Sequence, residues 1–309
     1  MKNYLLLCGG VGGAKLALGF SKILPNSNLT IAVNTGDDFN HLGLKICPDL
    51  DTVLYTLANQ SDLSKGWGRS NESWEMLAAL KKLGGETWFQ LGDKDLATHI
   101  IRTQLLANGK NLSEITQELC DRFGVNANIL PMSHEPVETY IQTQNRLLSF
   151  QEYFVKFKCD PPVTDFVFKG LDKAVFNPSI NLTLFDEIIV CPSNPFVSIN
   201  PIIQLDGINQ YLKSNTHKVS VVSPIVNSKS LKGPTSKIMT ELGLDVSVNA
   251  IADFYMDYAK TIFVDSLDSH QLHQIHDKGF ETHTTPLVMN NLESKIQLAQ
   301  SIFNYLETK

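Results

Sequence analysis

A five-residue apolar run, Tyr4-Leu5-Leu6-Leu7-Cys8, is followed at once by Gly9-Gly10-Val11-Gly12-Gly13-Ala14-Lys15, and this junction constrains the fold more than any other stretch. A short apolar run bounded by glycine reads as a buried parallel strand, and the apolar periodicity over 15–24 reads as a helix behind it. Four glycines in five positions remove the side chains that would hold a ligand off the backbone. They also permit left-handed dihedrals that turn successive N–H groups into one concavity, a shape that suits a phosphate. The helix start adds free donors and partial positive charge, and Lys15 adds a full one. The spacing is not that of the nucleotide-triphosphate loop, because Leu16 stands where Ser or Thr is needed. Nor is it a complete dinucleotide fingerprint, because Lys15 holds the place of the third glycine. A tight turn without a ligand is the alternative, although a mere turn rarely needs four glycines.

The 309 residues suffice for one enlarged α/β domain or for two domains. A net charge of -6 with no basic block speaks against coating nucleic acid. It also means that an anionic ligand must be neutralised locally, by backbone N–H groups, lysine or a divalent metal. Five cysteines, at 8, 47, 120, 159 and 191, are odd in number and lack any CxxC pair, which suggests reduced thiols and a cytoplasmic setting. The first apolar run breaks at Gly9, too early for a secretory leader, and no apolar run reaches membrane-spanning length. A soluble cytoplasmic protein with no membrane or nucleic-acid partner is expected.

Further along, Leu29-Thr30-Ile31-Ala32-Val33 reads as a second strand ending in Asn34-Thr35-Gly36-Asp37-Asp38. Adjacent carboxylates at the carboxyl end of a parallel strand lie where ligands enter an open sheet, and they are hard donors suited to Mg²⁺. A turn capping the next element would use the same residues. Pro48 with Asp49 and Asp51 opens a helix through Leu57. On a helical period the two carboxylates stand roughly 200° apart, so one caps and the other reaches the cleft; Asp51 is the choice for the cleft.

Residues 59–128 read as a helical insertion or lid, with amphipathic segments at 72–83, 95–107 and 112–123. Trp67, Trp74 and Trp88 all fall there, as cover for a flat ring or as core filler, and His99 reads as structural. Residues 129–170 read as a small antiparallel β subdomain with a hairpin turn near Asn145-Arg146. Over 171–309 the parallel pattern resumes in 187–191, 218–222 and 261–265, each strand closing in small polar residues. Among these, Ser193 and Asn194 are candidate nucleoside contacts. A second glycine and lysine loop at 229–237 is either an anion contact or a solvated loop, and 290–306 reads as an amphipathic helix packed back on the sheet. The pattern predicts an α/β fold on a mostly parallel sheet.

The motifs at 9–15, 33–38, 48–52, 91–99, 129–133 and 191–195, taken in order along nearly the whole chain, resemble the 2-phospho-L-lactate transferases, the CofD family, called FbiA in actinobacteria. The resemblance implies an enzyme of coenzyme F420 biosynthesis, commonly homodimeric, and makes the expected fold a single Rossmann-like domain, a three-layer α/β sandwich on a mostly parallel sheet. Its donor would be a guanosine diphosphate ester of lactate or of phosphoenolpyruvate. Its acceptor would be the deazaflavin FO, whose ribityl hydroxyl attacks phosphorus and releases GMP in the presence of Mg²⁺. Carried onto this chain, the resemblance assigns Gly9, Gly10, Gly12, Gly13 and Lys15 to the diphosphate. Asn34, Thr35, Ser193 and Asn194 go to the nucleoside, Asp37 and Asp38 to Mg²⁺, and Asp51 to the acceptor hydroxyl as the catalytic residue. It departs at Gln90, where archaeal members carry a lysine before the Leu-Gly-Asp motif, so a deazaflavin contact from that position is not carried over. Two other classes share parts of the pattern: a nucleotide-sugar-binding regulator of the gluconeogenesis-factor type, and a nicotinamide dehydrogenase. The motifs at 48–52 and 91–99 disfavour the first, and Lys15 disfavours the second.

Overall fold

The computed structural model describes residues 1–309. Seven strands form its central sheet: β1 (Tyr4–Cys8), β2 (Leu29–Val33), β3 (Asn128–Pro131), β4 (Glu187–Val190), β5 (Val219–Val222), β6 (Thr261–Val264) and β7 (Glu281–Thr284). Their spatial order is β7-β6-β5-β4-β1-β2-β3, with every neighbouring pair parallel. In register, Leu5 lies between Thr30 of β2 and Ile188 of β4. All five residues of β1 are buried because both faces of the sheet are covered. Leu5 and Leu7 join the core on one face with Ile188, Val190 and Val221, whereas Tyr4, Leu6 and Cys8 join the core on the other. This is the expected three-layer α/β sandwich. Strand order reverses between β1 and β4, and a crevice opens above the carboxyl ends of strands at such a switch point.

Helix α1 (Val11–Ile23) begins directly after the turn at Gly9-Gly10 and packs on the C-terminal helix Leu292–Thr308, which is fixed at its start by a capping box of Asn291 and Ser294. Helix α2 (Pro48–Leu57) lies beside α1, and a short hairpin of Phe39–His41 and Leu44–Ile46 separates it from β2. Between α2 and β3 come α3 (Glu75–Lys82), α4 (Asp93–Ala107) and α5 (Leu112–Phe123). Only the first part of this segment stands off the core, and α3 buries no residue. Helix α5 buries Leu112, Ile115, Leu119 and Cys120 against the sheet, so it is the crossover returning the chain to β3 and not part of a lid.

Two further boundaries move. Asn128–Pro131 belongs to the central sheet as its edge strand, where a proline forfeits no ladder bond, and not to the small β subdomain. The separate antiparallel sheet consists of Glu138–Thr143 between Leu147–Ser149 and Val163–Lys169, with the hairpin turn where it was expected.

The glycines of the first turn serve close approach and not left-handed dihedrals, since none of Gly9, Gly10, Gly12 and Gly13 has positive φ. A Cβ on Gly12 would overlap the carbonyl oxygen of Pro192, and one on Gly9 would overlap the side chain of Ser198. A Cβ on Gly13 would meet Cys8 Cβ at 3.1 Å and Ser193 Oγ at 2.9 Å. Because the obstacle at Gly12 is backbone, Gly12→Ala should lower the free energy of unfolding by about 1–3 kcal/mol, read as a lower urea midpoint at unchanged slope. An unchanged midpoint would show that the two turns are not in contact.

Candidate active site

A cavity of about 730 Å³ opens at the switch point. One wall comes from the strand ends: the backbone of Gly10, Val11 and Gly12, with Lys15, Asp37, Asp49, Thr52, Ser193 and Asn194. An aromatic wall adds to the lining: Trp67, Trp88 and Phe89 come from the segment before α4, and Phe150 and Phe154 from the small β subdomain. Phe150 and Phe154 stack at 5.5 Å, and Trp88 and Phe89 are backed by Phe39 and His41 of the hairpin. Gln90 also lines the cavity. Trp74 does not; it packs edge-on against Trp67 at 6.4 Å.

Two buried carboxylates face this space. Asp49 Oδ2 accepts a hydrogen bond from Asn34 Nδ2 at 3.0 Å. Burial pushes the Asp49 carboxyl up to about 7, with the charge of Asp38 adding to the rise and hydrogen bonds from Asn34 and the Gly10 amide opposing it. Asp37 is raised well above the carboxylate range by burial and by the charge of Asp49, and its Oδ1 has no partner. A hard oxygen donor left without a partner fits a divalent cation, for which Asp37 is the candidate ligand. Asp38 is turned off the cavity wall toward Lys45 Nζ at 3.4 Å, so the adjacent pair expected to share a metal diverges.

Asp51 likewise turns away from the cavity. Its carboxylate takes both terminal nitrogens of Arg102 on α4, with Nη1 to Oδ2 at 3.1 Å. Arg102 also reaches the Lys45 carbonyl at 3.4 Å and His99 Nδ1 at 3.2 Å. His99 Nε2 lies 3.3 Å from Asp95, which accepts from the Tyr55 hydroxyl at 2.7 Å. Asp51, Asp95 and His99 are grouped closely enough to ligate a metal, but the guanidinium already supplies the compensating charge. The roles expected of Asp49 and Asp51 are therefore exchanged in space: Asp49 meets the crevice, and Asp51 fastens α2 to α4. The signal for this was the stripe Asp95, Thr98, His99 and Arg102, polar residues at core spacing on one face of α4, all of them buried.

Of the remaining predicted residues, Ser193 is on the wall, and its Oγ accepts from the Gly9 amide at 3.1 Å. Asn194 is on the wall too; its Oδ1 caps the Phe196 and Val197 amides, leaving its buried Nδ2 without a partner. Asn34 and Thr35 lie behind the wall, where Asn34 also accepts from the Gly36 amide at 2.8 Å. Gly9 and Gly13 lie behind it as well. Lys15 donates to the Met289 carbonyl at 2.8 Å, and burial, together with Lys295 and Lys232, lowers its pKa. The loop at 229–237 sends Lys232 to the cavity.

The family model for 2-phospho-L-lactate transferase CofD matches residues 5–297. The chain belongs to this family. It is similar to a 2-phospho-L-lactate transferase of Methanosarcina mazei, 36% identical over 301 residues that cover 96% of this chain and 98% of the relative. It is also similar to a phosphoenolpyruvate transferase of Kitasatospora aureofaciens, 34% identical over 304 residues, covering 96% and 95%. A crystal structure of a UPF0052 family protein from Bacillus halodurans superposes with a TM-score of 0.64 over 98% of this chain and 99% of that one; at 14% identity this shows a shared fold alone. No helix is long and apolar enough to cross a membrane.

The two carboxylates of α2 generate separate predictions. Arg102→Met leaves Asp51 buried and unpaired and should cost about 3–5 kcal/mol in urea unfolding, most of it recovered when Asp51→Leu is added. No recovery in the double variant would show that the pair is not the coupling. Asp49 binds its proton more tightly folded than unfolded, so its ionisation erodes stability as pH rises from about 4, the unfolded carboxylate value, through about 7. Wild-type stability relative to Asp49→Asn should fall across that window and level off above it. A flat difference would place Asp49 in solvent.

Proposed function

We propose that this chain transfers a 2-phospho-L-lactyl or enolpyruvyl-phosphate group from a guanosine diphosphate ester to the ribityl hydroxyl of the deazaflavin FO, releasing GMP, in coenzyme F420 biosynthesis. The observation that carries this reading is one cavity lined together by an amide-rich turn with Lys15, a pair of buried carboxylates and five aromatic side chains. Such a displacement needs neutralised phosphate charge, an in-line pose and a proton acceptor, and each has a candidate group here.

The donor diphosphate would lie on the free amides of the first turn of α1 and on Lys15, with Ser193 and the unpaired Nδ2 of Asn194 toward the nucleoside. Asn34 would act from behind, by holding Asp49. The FO ring system would rest against Trp67, Trp88, Phe89, Phe150 and Phe154, flat surfaces that orient it and exclude water. Asp49 would accept the hydroxyl proton as the oxygen bonds to phosphorus and the bond to the GMP oxygen breaks. A carboxyl held near 7 suits that task better than one of ordinary acidity. Asp37, whose Oδ1 has no partner, would hold Mg²⁺ and leave Asp49 free for the proton; when bound the ion supplies charge neutralisation at the phosphoryl oxygens. Asp51 serves indirectly, by fixing α2 through Arg102.

Mass spectrometry after supplying FO with the lactyl, enolpyruvyl and glyceryl guanosine diphosphates in turn tests the reading. GMP and an FO phosphodiester should appear with at least one donor, and Asp49→Asn should lower kcat by about 10²–10⁴-fold. No GMP from any donor, or an Asp49→Asn enzyme as fast as wild type, would contradict it.

A further inference from the structure

We propose that Lys232 binds the carboxylate of the group being transferred, so that the enzyme selects phosphoesters of carboxylic acids over those of plain alcohols. This rests on the donor position argued above. The cavity is lined by Lys15, Lys65, Lys158 and Lys232, in a chain whose net charge is -6. None of the four forms an ion pair with a carboxylate, although Asp37 and Asp49 line the same cavity. Uncompensated ammonium groups on a concave wall mark the place of an anion.

The four lysines are not equivalent. Lys65 lays its ammonium over the Trp74 ring at 4.1 Å, and Lys15 is tied to the Met289 carbonyl beside the glycine turn. Lys158, after the Phe150 and Phe154 turn, and Lys232, on the loop at 229–237, are both exposed and neither ammonium makes a hydrogen bond, but of the two only Lys232 acts on Lys15 at the glycine turn. The Lys232 ammonium reaches Gly66, where an added Cβ would stand 3.5 Å from it, and Gly66 directly precedes Trp67 of the aromatic wall. Its charge also contributes, after burial and Lys295, to lowering the Lys15 pKa. Lys232 thus stands at the seam between the wall assigned to the diphosphate and the wall assigned to the acceptor ring, where a group in transit must lie. The diphosphate already has the α1 amides and Lys15. The charge left for Lys232 is the one that the lactyl and enolpyruvyl groups have in common, their carboxylate. A compact ammonium reads that charge without reading the saturation of the neighbouring carbons.

Calorimetry with GDP and with the lactyl guanosine diphosphate ester, on wild type, Lys232→Met and Lys232→Arg, separates the alternatives and needs no acceptor. Lys232→Met should weaken the ester by about tenfold or more, a charge-assisted contact, and GDP by less than about twofold, with Lys232→Arg recovering most of the loss. In turnover, Lys232→Met should also lose most of the preference for the lactyl ester over the corresponding propyl ester. Equal weakening of GDP and ester would assign Lys232 to the diphosphate and overturn the inference, as would no change in either. A wild-type protein that bound neither ligand would remove the donor reading itself, and the inference with it. Tight ester binding with no transfer to FO would leave the Lys232 assignment standing and refute only the acceptor.

Discussion

The crevice exists because two turns at the centre of the sheet approach each other at backbone distance. β1 and β4 are adjacent parallel strands, and the chain leaves each of them upward at the same edge. Gly12 admits the Pro192 carbonyl, Ser193 Oγ accepts from the Gly9 amide, and the Cys8 and Cys191 sulfurs lie 3.3 Å apart beneath them. Any side chain at Gly12 would push α1 off β4 and open the turn that aims the first-turn amides. The glycine turn and Ser193 with Asn194 face one cavity for that reason, although about 180 residues separate them in sequence.

Charge is distributed around this frame in two opposite ways. Within a single turn of α2, Asp51 is matched by a guanidinium and Asp49 is not. The matched pair adds rigidity: through Arg102 it joins α2, α4 and the hairpin carrying Lys45, the elements behind both walls of the cavity. Asp49, with Asp37, is buried without a cationic partner, and burial raises both carboxyls. Lys15, Lys65, Lys158 and Lys232 line the same cavity, so groups of both signs share one space.

Much of this was legible in local pattern. Continuous apolar runs ending in glycine or small polar residues identify β1, β2, β4, β5 and β6, because a strand buried on both faces has no room for alternation. The same pattern pointed to the turn after β4, whose Ser193 and Asn194 line the cavity. Long-range contacts were not legible. Nothing local distinguishes α5, which packs on the sheet, from the helices before it, and Asn128–Pro131 joins the central sheet only through its partner β2. β7, with polar Glu281, Thr282, His283 and Thr284, has no apolar run to announce it at the sheet edge. The choice between Asp49 and Asp51 likewise needed the knowledge that Arg102 arrives from α4.

The glycines teach a related lesson. Their density marks a place where backbone comes close to something, but the nearest neighbour is the Pro192 turn, and the cavity lining is what that contact leaves exposed. The most direct measurement of the central claim is a crystal structure of the protein grown with GDP. The account predicts the diphosphate on the amides at the start of α1 and beside Lys15, with the nucleoside toward Ser193 and Asn194. Nucleotide density at any other site, with that turn left bare, would contradict it.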